Sequence, residues 1–87
     1  MIAHEPSGWQ NHDQRLLRSF EFRDFTRAME FVNQMADIAE ELQHHPEFTV
    51  AYNRVNVTLY THDLGKRGLS ELDYKLAARI NDLLEPG

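Results

Sequence analysis

Residues 24–62 read DFTRAMEFVNQMADIAEELQHHPEFTVAYNRVNVTLYTH, and the change of period inside this stretch decides the fold. In its first half Phe25, Ala28, Val32, Met35, Ala39 and Leu42 recur at steps of three and four, which places them on one stripe of a helix. Asp24 offers the side-chain oxygen an N-cap needs. Pro46 disfavours helical geometry at the residue before it, so the helix is predicted over 24–44. In the second half the period drops to two. Val55, Val57, Leu59 and Thr61 alternate with Arg54, Asn56, Thr58, Tyr60 and His62, the pattern of a strand covered on one face only. Thr49–Tyr52 reads as the preceding strand, with Asn53 and Arg54 as the turn between them.

On the N-terminal side, strands are expected over 9–13 and 15–22, with a turn at Asn11–Gln14. Leu16, Phe20 and Phe22 share one parity there, and Leu17 breaks it. Residues 1–8 show no periodicity and read as a loose arm. On the C-terminal side, Asp63–Gly68 reads as a loop. Ser70 then starts a second helix, predicted to run to residue 84, with Asp73 completing a capping box and Leu69 and Tyr74 placed as a hydrophobic staple. Leu72, Leu76, Ile80 and Leu83 form its apolar stripe. The order strand, strand, helix, strand, strand, helix makes residues 1–87 a single α+β domain with helices on one sheet face.

Composition narrows the function classes. The net charge is -5, and the nine Lys and Arg are scattered, so the clustered cations of a nucleic-acid reader are missing. The absence of cysteine excludes disulfides, thiolate metal sites and cysteine nucleophiles. The sequence contains neither an apolar run long enough to span a membrane nor a secretory signal pattern, so the expected location is the cytoplasm. A domain of 87 residues without staples is expected to associate with copies of itself.

Chemistry concentrates at three histidines. His44 and His45 leave the long helix before Pro46, and His62 ends a strand. Glu40 and Glu41 sit in the last helical turn, where the macrodipole disfavours negative charge. Continued helical geometry puts Glu40 beside His44, and a carboxylate there favours imidazolium, as a general acid requires. The alternative is that His44 and His45 only cap the helix. Lying at element ends, the histidines are expected to contribute little to the core. Three histidines also suit zinc, but adjacent ones rarely aim both rings at one ion, and no HExxH-type spacing is present; no metal is expected.

The pattern E-x3-H-H-P-x5-Y-x9-H-x10-D, formed by Glu40, His44, His45, Pro46, Tyr52, His62 and Asp73, resembles the pterin-4a-carbinolamine dehydratases. Trp9, FEFRDFTRA, GLSELD and LAARI extend the likeness over roughly residues 9–84. The resemblance implies a four-stranded antiparallel sheet with helices on one face, in dimers or tetramers. It implies loss of water from 4a-hydroxytetrahydropterin to give quinonoid dihydropterin, without metal or other cofactor, in recycling of the pterin used by aromatic amino acid hydroxylases. It makes His44 and His62 the acid/base pair and has His45 position the pterin. Glu40, Pro46, Phe48, Thr61 and Asp73 complete the expected substrate-binding set. Asp73 is also explained by its capping box, Glu40 as a solvated helix residue, and Trp9 and Tyr52 as core or interface aromatics. Gln43 stands where relatives often carry Asp, and Phe48 where they usually carry Trp. Such proteins also serve as dimerisation cofactors of transcription factors or as assembly factors, so an interaction module is the second reading, and an enzyme of molybdopterin metabolism the third.

Overall fold

The alternation read in residues 54–59 becomes the centre of the sheet in a computed structural model that describes residues 7–63 and 66–84. The chain runs β1 (Gln10–Asn11), β2 (Leu16–Glu21), α1 (Phe25–Leu42), β3 (Glu47–Ala51), β4 (Arg54–Leu59), β5 (Thr61–Asp63), β6 (Lys66–Gly68) and α2 (Glu71–Asp82). Four strands form one antiparallel sheet in the order β1-β2-β4-β3. The β2–β4 register sets Leu16 opposite Leu59 and Phe20 opposite Val55, so the apolar residues of both strands share a face. Val55, Val57 and Leu59 are buried there with Ala28, Phe31, Val32, Met35 and Ile38 of α1 and Leu76, Ala77 and Ile80 of α2. Each fully buried Leu, Val or Ile contributes roughly 1.5–3 kcal/mol relative to exposure. The opposite face is polar: Ser19 Oγ donates to Asn56 Oδ1 at 2.6 Å, and Asn56 Nδ2 donates to Thr49 Oγ1 at 3.4 Å. The α+β class and the covered single face are as expected.

Several boundaries differ from the sequence reading, each for a local reason. Strand β3 begins at Glu47 rather than Thr49, because Glu47 and Phe48 pair with Thr58 and Val57. The turn is Tyr52–Asn53 rather than Asn53–Arg54. Arg54 pairs with Ala51, while Asn53 clamps Phe22 through its carbonyl at 2.8 Å and its side-chain amide at 2.9 Å. That leaves Tyr52 in the left-handed position at φ 54°. Strand β4 stops at Leu59 because β2 begins at that residue's partner, Leu16, so no neighbour remains to pair with. The chain finds a new one: Thr61, His62 and Asp63 pair with Gly68, Arg67 and Lys66, where a plain loop was expected.

The buried stripes are also rotated from those expected. On α1 Phe31 and Ile38 are buried, and Phe25 is exposed. Phe31 is held there by its rings' contact with Phe20 and Phe22, at centroid distances of 4.7 and 5.0 Å. On α2 the inward positions are Asp73, Leu76, Ala77 and Ile80, spaced by three, four and seven, so Leu72 falls outside the stripe. Of the arm expected over residues 1–8, only Ser7 and Gly8 lie among the described residues. The Ser7 carbonyl accepts from the Arg18 and Asn81 side chains, and Asn81 Oδ1 accepts from the Trp9 indole at 2.8 Å. Gly8, at φ 89°, lies so close to Arg18 that an added Cβ would stand 2.6 Å from the guanidinium carbon. Among the described residues no helix is long and apolar enough to cross a membrane.

Candidate active site

The site is set by how α1 ends. Gln43 takes a left-handed conformation (φ 55°, ψ 40°), and its backbone amide reaches the carbonyls of Ala39 and Glu40. Its side chain also donates to the Glu40 carbonyl at 2.7 Å, and the His44 amide donates to Ala39 at 3.0 Å. Helical geometry therefore ends before His44, and the two histidines part. The contact expected between Glu40 and His44 does not form; Glu40 Oε2 meets His45 Nε2 at 2.5 Å instead. Glu41, the other carboxylate at this unfavourable helix end, bridges to Arg79 of α2 at 2.9 Å. The Arg79 hydrogen bond and charge hold the Glu41 carboxyl below the usual range.

His44 turns inward, toward the start of α2. Its Nε2 lies 2.5 Å from Asp73 Oδ1, and its side chain is only 12% exposed. Asp73 is fully buried, the one buried charged residue among those described. Its second oxygen accepts from the Thr61 hydroxyl at 2.8 Å and from the Ser70 amide at 2.9 Å. Three donors and the N-terminal end of α2 compensate the carboxylate. An ionised carboxylate only accepts, so His44 Nε2 is the donor and Nδ1 is the ring nitrogen left for a ligand.

His44, His45, Pro46 and His62 line one cleft of about 560 Å³, with Gln43, Glu47, Thr58 and Tyr60. Helix end and strand end thus deliver all three histidines to one place. Their environments differ: His44 is nearly buried, whereas His45 and His62 are exposed. Glu40 stands behind His45, and Asp73 and Thr61 stand behind His44. Phe48 is paired with Val57 and lines a neighbouring depression with Arg15, Glu47, Thr49, Asn56 and Thr58. Tyr60 was not singled out from the sequence, although its shared parity with Thr58 and His62 was a sufficient signal.

Residues 1–83 match the sequence pattern of a family described as pterin 4 alpha carbinolamine dehydratase. The chain belongs to this family. It is 42% identical, over 94% of its length and 86% of the relative's, to a protein of Thermomicrobium roseum provisionally named pterin-4-alpha-carbinolamine dehydratase. A protein of Prochlorococcus marinus (strain MIT 9303) with the same provisional name is 46% identical over 99% of this chain and 86% of its own. The fold also superimposes, with a TM-score of 0.83 and 47% identity, on the crystal structure of a transcriptional coactivator/pterin dehydratase from Brucella melitensis, covering 91% of this chain and 84% of that one.

Proposed function

We propose that the protein removes water from 4a-hydroxytetrahydropterin to give quinonoid dihydropterin, in recycling of a hydroxylase pterin cofactor in the cytoplasm. The observation that carries this reading is the cleft lined by His44, His45 and His62, in a chain of this family. A volume of about 560 Å³ suits a small flat ligand. The reaction needs a proton delivered to the 4a-hydroxyl, which leaves as water, and a proton taken from the ring nitrogen, so the enzyme ends with as many protons as it began. Imidazole can give and take a proton near neutral pH. His44, bound at Nε2 to Asp73, works through Nδ1, and His62 is the other member of the pair. His45, braced by Glu40, positions the pterin, and Pro46 and Tyr60 supply its apolar contacts. Phe48 extends this wall from the adjoining depression, which shares Glu47 and Thr58 with the cleft.

The test is dehydration of synthetic 4a-hydroxytetrahydropterin by the purified protein, followed in the ultraviolet. Acceleration well above the spontaneous rate is expected; the spontaneous rate alone would overturn the reading. A second reading, a protein-binding role in transcription, is favoured by the name of the Brucella melitensis neighbour, which joins coactivator to dehydratase.

A further inference from the structure

We propose that Thr61 is a positioning residue that sets how firmly His44 holds its proton, acting through Asp73. This rests on the reading of His44 as a proton-transfer group. Thr61 lies within hydrogen-bond distance of two side chains: its hydroxyl reaches Asp73 Oδ2 at 2.8 Å and Ser70 Oγ at 2.7 Å. A hydroxyl has one proton to give. Since a carboxylate cannot donate, Thr61 gives its proton to Asp73, and the Ser70 hydroxyl, 3.5 Å from Asp73 Oδ2, gives its own to the much closer Thr61 oxygen. A chain of donors therefore runs Ser70, Thr61, Asp73, and meets His44 on the other carboxylate oxygen.

Each donor draws charge from the Asp73 carboxylate, and that charge is what stabilises a protonated His44. Burial strengthens the coupling, because no water competes at Asp73, which is fully buried. Thr61 also opens β5, so the same hydroxyl anchors the backbone that carries His62. The other titratable groups lining the cleft are His45, Glu47, Tyr60 and His62, with Glu40 against His45.

Thr61→Val removes the hydroxyl and keeps the shape. With one donor fewer, the carboxylate favours imidazolium more, so the titration midpoint of His44 moves upward. The ring of His44 is followed by NMR in the full-length, ligand-free protein. That upward movement is expected together with a kcat down roughly tenfold and a KM little changed, the scale of one hydrogen bond to a charged group. Thr61→Ser restores both. Ser70→Ala, which removes the donor to Thr61 and the longer 3.5 Å contact of Ser70 Oγ with Asp73 Oδ2 but leaves the Ser70 amide on Asp73, gives a rise in the same direction and decides the matter if the valine variant does not fold. An unchanged His44 titration in a folded variant overturns the proposal, as does a rise in KM alone. The titration needs no substrate, so a protein that fails to dehydrate the pterin leaves this proposal standing or falling on its own.

Discussion

His44 Nε2 and Asp73 Oδ1 are 29 positions apart in sequence and 2.5 Å apart in space. The contact joins the end of one helix to the start of the other and fixes which ring nitrogen of His44 faces the cleft. Asp73→Asn tests its worth. The amide keeps the shape but has a single oxygen, which cannot serve both His44 and the Thr61–Ser70 side. If the amide nitrogen faces His44, Nε2 must accept and the proton moves to Nδ1. The expected outcome is a fall in kcat of roughly 10²-fold or more, the range for loss of a positioned proton-transfer group. Steady-state kinetics at wild-type levels would discard the assignment.

The two acid/base histidines should separate in stability. The sequence reading had both contributing little to the core, but His44 is bonded to a buried carboxylate. His44→Ala leaves Asp73 with one donor fewer, and breaking a buried pair costs about 3–5 kcal/mol. His62 is exposed, and its removal is expected to cost within about 0.5 kcal/mol. Both variants should slow turnover by roughly 10²–10⁴-fold. Thermal unfolding run beside the assay checks the split; equal melting points would count against the role given to Asp73.

Most of the fold was legible because burial writes itself into period. The α1 stripe and the Val55–Val57–Leu59 alternation located helix and sheet without any tertiary knowledge. What escaped depended on partners distant in sequence. Nothing within residues 55–63 says that β4 must stop where β2 begins. Asp73 was read as a cap, and it is one, since its oxygen takes the Ser70 amide. Its other oxygen, Oδ1, and so its link to His44, is invisible to local reasoning. The divergence of His44 from His45 hangs on one left-handed residue, Gln43, of a type with no strong preference for that conformation.

Tyr52 carries a cost that a substitution can relieve. It occupies φ 54° in the β3–β4 turn, and the residue is 67% exposed, so little packing is lost on removal. The left-handed conformation costs a non-glycine residue roughly 1–2 kcal/mol, and glycine's extra freedom when unfolded returns about half of that. Tyr52→Gly is expected to stabilise the fold by about 0.5–1 kcal/mol in urea titration. A lower unfolding midpoint would show that Tyr52 contributes packing elsewhere, in an assembly for example.

Self-association is expected from what the subunit leaves uncovered. Phe25, Phe48, Tyr52, Leu72 and Leu84 are all exposed, and among the described residues β3 is an edge strand with one side unpaired. A homodimer or a dimer of dimers covers such surface. Light scattering at tens of micromolar, roughly where weak oligomers persist, should give a mass at least twice 10.2 kDa. A clean monomer there contradicts the prediction.

Asp24 makes the acid limb of stability predictable in sign. Its carboxylate caps α1 by accepting the Arg27 amide at 2.9 Å. That hydrogen bond, helped by the nearby charge of Arg23, holds the carboxyl below its ordinary value of 3.8. A carboxyl depressed in the folded state contributes stability that is complete above its unfolded value and is lost as pH falls through the folded one. The loss should therefore begin near pH 4, at about the unfolded value, and deepen below it. Other carboxylates, Glu41 among them, titrate in the same range, so the whole protein's acid curve cannot isolate the effect. Asp24→Asn can, because asparagine caps a helix about as well but carries no charge. The melting-point difference between wild type and variant should be flat near neutrality and should move against the wild type as pH falls below about 4. Melting curves from pH 7 to pH 2.5, taken at fixed ionic strength, read that difference directly. A constant difference across the range would mean that the charge on Asp24 plays no part in holding the helix start.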